Sequence, residues 1–204
     1  MKKHIVILFL FSTTNLIFAG DFFVGTNLGL NLSQVSFVPT VSQNYLAGYN
    51  GGIVARYISE PHLGLQAELN FSQRGWAEKT EETGNIHRRL NYVELPVMTH
   101  IYFGSKTFRG FVNLGPKIGF FTGEEKPEIE EHTPDRFSMP VKYKFDYALA
   151  GGLGFGLAIN RFFYQVEGRY GFGLGDFFSN NKADPYSRSA FRTVSVNFSV
   201  LYKL

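Results

Sequence analysis

The chain has 204 residues and a formal charge of +3, from 20 Lys and Arg against 17 Asp and Glu, with no cysteine. That length fits one domain, and the missing thiols exclude a disulfide scaffold and any thiolate metal centre. The charge falls to +1 once Lys2 and Lys3 are set aside (18 against 17), which gives no footing for nucleic acid.

Residues 1–19 read as a secretory signal. Lys2, Lys3 and His4 form a positive start, Ile5 to Phe11 an apolar core, and Leu16-Ile17-Phe18-Ala19 a cleavage region. Ser12, Thr13, Thr14 and Asn15 interrupt the apolar run, which is too short to span a bilayer as a helix, and no cysteine follows to carry a lipid anchor. The expected division is therefore a leader over 1–19 and one domain over 20–204.

From there the apolar residues recur with a period of two, the signature of strands with one greasy and one polar face. The first strand is expected over 22–32, with Val24, Leu28, Leu30 and Leu32 opposite Gly25, Asn27, Gly29 and Asn31. The second, 48–58, sets Tyr49, Ile53 and Tyr57 against Asn50, Gly52 and Arg56. The third, 63–73, sets Leu63, Leu65, Leu69 and Phe71 against Gln66, Glu68, Asn70 and Ser72. The fourth, 89–103, sets Val93, Leu95, Val97 and Ile101 against Tyr92, Glu94, Pro96, Met98 and His100, with Pro96 expected to mark a bulge or kink. The fifth, 108–121, opposes Val112, Leu114 and Ile118 to Arg109, Asn113 and Lys117. The sixth, 143–159, opposes Phe145, Tyr147, Leu149 and Leu153 to Lys144, Asp146, Gly152 and Gly154. The seventh, 162–175, opposes Tyr164, Val166 and Tyr170 to Gln165, Glu167 and Arg169. The eighth, 194–204, opposes Val194, Val196, Phe198, Val200 and Tyr202 to Ser195, Asn197, Ser199 and Lys203, with Leu201 an apolar exception on the polar face.

Eight strands joined by alternating long (33–47, 74–88, 122–142, 176–190) and short (59–62, 104–107, 160–161) connections form the pattern of an antiparallel up-and-down transmembrane β-barrel. In that pattern periplasmic turns are short and external loops long. The last strand should close on the first, because a closed ring leaves no unpaired edge in lipid. A soluble eight-stranded barrel would reverse the polarity and enclose a ligand. Residue size decides against it: Phe, Tyr, Leu and Val are too bulky to fill a narrow interior from every strand, whereas Gly, Ala, Ser and Asn fit. The 22 Phe and 11 Tyr then suit interfacial girdles, and the 22 Gly a tight lumen.

The fourth strand, Leu90-Asn91-Tyr92-Val93-Glu94-Leu95-Pro96-Val97, resembles the Tyr-apolar-Glu-apolar-Pro-apolar strand of an outer-membrane β-barrel family common in Bacteroidota, which includes PorT-like proteins. The stretches Gly151–Gly156 and Tyr164–Tyr170 are similar to that family's later strands, so the resemblance covers about 20–204. It implies an outer-membrane barrel without an assigned activity and, through the PorT-like branch, a role in protein export by type IX secretion. Leu204 departs from the terminal Phe of the proteobacterial insertion signal.

The polar faces direct Arg56, Glu68, Glu94, Lys117, Asp146, Glu167 and Arg169 into the lumen, together with Arg109 and Lys144. A narrow pore and a paired plug are the two readings, and a small barrel favours the plug, since an unpaired charge there is costly. An outer-membrane lipid-acting enzyme is the further alternative, and catalysis has little support. His132 beside Glu131 and near Ser138, and His87, lie in expected loops without a nucleophile motif, and His100 falls near the periplasmic end. No enzyme activity and no cofactor are expected: Gly151–Gly156 lacks the helix and the Gly-Lys-Ser/Thr of a phosphate loop. The acidic run 123–131 lacks the spacing of a calcium loop, and no metal site is assigned. Expected partners are outer-membrane lipids and lipopolysaccharide, the barrel-assembly machinery during insertion, and an external ligand or secretion partner met through the long loops.

Overall fold

The computed structural model describes residues 20–80, 84–126, 133–181 and 184–204; the expected leader lies outside them. Eight antiparallel strands follow one another around a ring: β1 (Asp21–Val38), β2 (Leu46–Glu60), β3 (Leu63–Thr80), β4 (Gly84–Gly104), β5 (Phe108–Glu125), β6 (Phe145–Ile159), β7 (Phe162–Gly173) and β8 (Arg188–Lys203). Each strand pairs with its neighbours in sequence, and β1 closes on β8 from Phe23↔Lys203 to Val38↔Arg188. A 3₁₀ turn, Asp135–Phe137, interrupts the connection between β5 and β6. Among the described residues no helix is long and apolar enough to cross a membrane.

The polarity is that of a membrane barrel. Leu28, Leu30 and Leu153 on the outside are each 71% exposed, whereas Asn27, Glu68 and Glu167 inside are 3%, 2% and 1% exposed. A soluble fold would lose that much apolar contact with nothing in return; a bilayer supplies it. At one end the turns are tight. Asn160 takes a left-handed φ of 55°, which its short polar side chain tolerates, and Gly104 turns at φ 117°, where a β-carbon would be strained.

The strands run further than the apolar-out pattern indicates. The segments 33–38, 46–47, 74–80, 84–88, 122–125 and 188–190, expected as loop, are strand, as are 191–193 ahead of the expected eighth strand, so the long connections shrink to 39–45, 81–83, 126–144 and 174–187. The cause is an inversion of alternation. Beyond the lipid the outer face need not be apolar, and Val35, Phe37, Trp76, Ile86 and Leu90 point inward instead. In the other direction β6 begins at Phe145 rather than 143, β7 stops at Gly173 rather than 175, and β8 stops at Lys203. At Pro96 the β3–β4 ladder opens, with no Cα partners between Ala67↔Val97 and Asn70↔Glu94, because proline brings no N–H to it. The bulge proper lies elsewhere, where Asn91↔Gly123 passes to Tyr92↔Phe121, and Thr122 donates its hydroxyl to the Asn91 carbonyl at 3.1 Å.

Candidate functional site

The middle of the lumen is built from inward positions of β2 to β7. Arg169 grips two carboxylates at once, with Glu68 at 2.7 and 2.9 Å and Glu167 at 2.9 and 3.0 Å. Glu68 accepts further bonds from Asn27 at 3.1 Å and Asn70 at 2.8 Å. Arg56 donates to the amide oxygens of Gln66 and Gln165 and lies 5.8 and 5.6 Å from the ring centres of Phe111 and Phe163. Toward the long-loop end Arg74 bridges Asp146 at 2.7 Å and Glu94 at 3.2 Å, and Lys117 reaches the same Glu94 oxygen at 3.1 Å. Four cations (Arg56, Arg74, Lys117, Arg169) thus face four carboxylates (Glu68, Glu94, Asp146, Glu167), a neutral set in which most charges hold an opposite one directly.

All seven expected lumenal residues are in this set. Arg74 is the one member absent from the expected set, because 74–88 lacks large outward apolar residues and reads as a loop. Arg109 and Lys144 are not in it. Arg109 is half-buried at the short-turn end, 4.8 Å from the Tyr102 ring centre, and Lys144 is exposed in the segment before β6. The free space left among Asn31, Asn50, Glu94, Lys117, Arg169 and Asn197 is a cavity of about 20 Å³, room for about one water. Glycines make this density possible: at Gly152 a β-carbon would collide with the Glu167 carboxylate, and at Gly156 it would come within 2.7 Å of the Phe163 ring.

Both ends of the charged layer are sealed by apolar side chains. At the short-turn end Phe23, Val54, Ile58, Phe163 and Leu201 pack together. Leu201, the exception on its strand's polar face, therefore has its place there, and beside the cluster His100 bonds Asn113 at 2.7 Å. At the long-loop end ten buried residues, Trp76 at their centre, form a crown. Two loops contribute to it: Phe137 comes from the 3₁₀ turn, with its ring centre 5.4 Å from Trp76, and Phe177 lies 4.4 Å from Phe178 and 4.7 Å from Phe191.

Ion pairs pin those loops. Arg136 bonds Glu78 through Nε at 2.7 Å and also through its terminal nitrogen, and Trp76 donates to the same carboxylate at 3.0 Å. The Glu78 hydrogen bonds hold the Arg136 guanidinium above the usual arginine range, so it stays charged. Arg88, wholly buried between Trp76 and Phe178, pairs with Glu124 and donates to the Arg136 carbonyl at 3.0 Å.

The hydrolytic candidates do not converge among the described residues. Ser138 donates to the Asp135 carbonyl at 2.8 Å, His87 is exposed on β4, and His132 and Glu131 lie outside the described residues. Of the acidic run, Glu124 and Glu125 are engaged with Arg88 and Arg89, and 127–132 lie outside as well. No cluster of three or more metal-binding side chains occurs among the described residues.

A family model for the outer membrane protein beta-barrel domain matches residues 14–179, and the chain belongs to that family. It is similar to the solved structure of Neisserial surface protein A (NspA), at 11% identity and a TM-score of 0.51, covering 90% of this chain and 97% of that one. Outer membrane protein W of Escherichia coli follows at 18% identity and 0.48, over 91% and 98% of the two chains. Ail of Yersinia pestis follows at 12% and 0.45, over 90% and 99%. No curated protein matches the sequence. The protein is thus an integral barrel of the outer membrane, with its short turns on the periplasmic side and its crown outside.

Proposed function

We propose that the protein is a closed, non-conducting barrel whose work is done at its external crown, as a surface-binding or accessory protein of the outer membrane. The observation that carries this reading is the layered lumen. A neutral charge network with about 20 Å³ of free space lies between two apolar seals, and loop residues Phe137, Phe177 and Phe178 complete the outer seal. Loops whose aromatic residues are buried in a common cluster are held in one conformation, and a preformed surface binds without the entropy cost of ordering. The network of Arg56, Glu68, Glu94, Lys117, Asp146, Glu167 and Arg169 is structural in this reading, and residues 1–19 are the export leader.

The type IX export role has only the family resemblance behind it, with no motif of the PorT-like branch itself, and a polypeptide has no path through this lumen. Refolded protein in planar bilayers should give no conductance steps, and cells displaying it should lose attachment to an immobilised host-surface ligand when 174–187 is replaced by a short turn. Sustained ohmic conductance, or attachment unchanged by the replacement, would refute the reading.

A further inference from the structure

We propose that the outer wall formed by β6, β7 and β8 carries a docking site for a phosphorylated glycolipid of the outer leaflet. The side chains are set by alternation. Val196 and Val194 on β8 face lipid, and the next two outward positions used by charge, Arg192 and Arg188, stand above them on the same face. Both guanidinium groups lie over one ring, Phe172 of the neighbouring strand, at 5.8 and 5.7 Å. Register places Phe172 directly opposite Arg192 and Tyr170 opposite Val194. Neither arginine has a carboxylate partner among the described residues, and the Nε of Arg192 is buried without a hydrogen-bond partner.

Two grooves flank this pair. Beside Arg192, on the β1 side, is a groove of about 440 Å³ where the hydroxyl and amide groups of Gln34, Ser36, Thr40 and Ser42 stand beside Val35, Phe37 and Val41. On the β6 side, Lys142 and Lys144 stand with Tyr143, Phe145 and Tyr147 around a second groove of about 550 Å³. The carboxylate in that groove, Asp176, is already engaged by the Ser189 N–H at 2.6 Å and by Asn180 at 3.1 Å; Asp184 lies near enough to act on Lys142. The far wall is different. Its half-buried Arg89 pairs with Glu125, and Lys126 with Glu124.

Unpartnered cations directly above an aromatic girdle sit at headgroup depth, where they meet lipid phosphate. The fork of arginine matches phosphate oxygens, and a ring beneath the guanidinium holds it in place without neutralising it. The hydroxyl-rich groove suits a sugar, and the exposed Val194, Val196 and Tyr170 below offer acyl chains a continuous apolar track. A soluble anion would use the arginines but not that track, so continuity with the lipid face assigns the occupant to the membrane.

The test uses the full barrel in detergent micelles, with lipid retention read by native mass spectrometry. The probes are a bisphosphorylated acylated disaccharide lipid and its dephosphorylated counterpart, with inorganic phosphate as competitor. Wild type should retain the phosphorylated lipid, and the double variant Arg188→Gln/Arg192→Gln should weaken retention about tenfold or more. Arg89→Gln, on the opposite wall, should leave retention unchanged, and heat-modifiable gel migration should confirm that both variants are folded barrels. Equal retention of the dephosphorylated lipid, or full retention by the folded double variant, would overturn the proposal. So would displacement of the lipid by inorganic phosphate at equal concentration, which would assign the arginines to a soluble anion.

Discussion

Replacing Arg74 by Met should destabilise the barrel by about 4 kcal/mol. The side chain is 1% exposed and holds Asp146 at 2.7 Å and Glu94 at 3.2 Å. Glu94 keeps Lys117 at 3.1 Å, so Asp146 is the group left alone. Removing one partner of a buried pair costs about 3–5 kcal/mol, because the surviving charge stays in a low-dielectric interior. Arg74 also stacks on Tyr92 at 3.9 Å and Phe191 at 4.7 Å, worth about 1 kcal/mol more, part of which Met retains. Asp146→Asn in the same chain removes the orphan. The double variant should therefore be about 2 kcal/mol more stable than the sum of the two single changes requires. Urea unfolding in lipid vesicles reports this through Trp76, the one tryptophan, buried in the crown above the pair. A single-variant loss below about 1 kcal/mol, or a strictly additive cycle, would refute the argument that these charges are mutually dependent.

Gly152→Val should lower the folded fraction by forcing the Glu167 carboxylate away from Arg169, at a cost of about 1–3 kcal/mol; cold-SDS gel migration of the refolded protein measures it. Arg136→Gln should open the 126–144 connection to chymotrypsin at Phe137. In wild type the raised pKa of Arg136 means that its contribution is complete below the ordinary arginine range and is lost only above it. Resistance to the protease should therefore be equal at neutral and mildly alkaline pH, and a progressive loss over that range would refute the assignment of Arg136 as the pin.

The parts of the fold legible in the sequence are those where lipid imposes a rule. Between Val24 and Leu32, or Val194 and Tyr202, an outward residue must be apolar and an inward one must be small or polar, so the faces and the ring could be read directly. Past the lipid the rule changes sign without the strand ending. Val35 and Phe37 continue the parity of Asn31 and Ser33, and Ile86, Arg88 and Leu90 that of Tyr92 and Glu94. An apolar residue on the formerly polar parity was therefore the available signal for extension. The loss of Arg74 from the expected network follows from the same misreading. No period could have announced that Phe137, Phe177 and Phe178 leave irregular segments to enter the crown. Their burial is decided by partners such as Trp76 and Phe191, far away in sequence.

The vertical order of the lumen follows from how the two solvents differ. A barrel this narrow cannot hold bulk water at its centre, yet its inward backbone and side-chain groups are polar, so they must satisfy one another. A balanced set of arginines, lysine and carboxylates does so only where water is kept out, since solvent would compete for each bond and screen each pair. Apolar residues at both mouths provide that exclusion, with Leu201 and Phe163 at the periplasmic side and Trp76 and Phe178 outside. Strand residues make most of the outer seal, and Phe137, Phe177 and Phe178 from the loops complete it. The residues that close the barrel are thereby the same ones that fix the shape of its exposed surface. A substitution in the crown interior, such as Phe178→Ala, should loosen the external loops and admit water to the Arg74–Asp146 pair together, with no separation between stability and surface order.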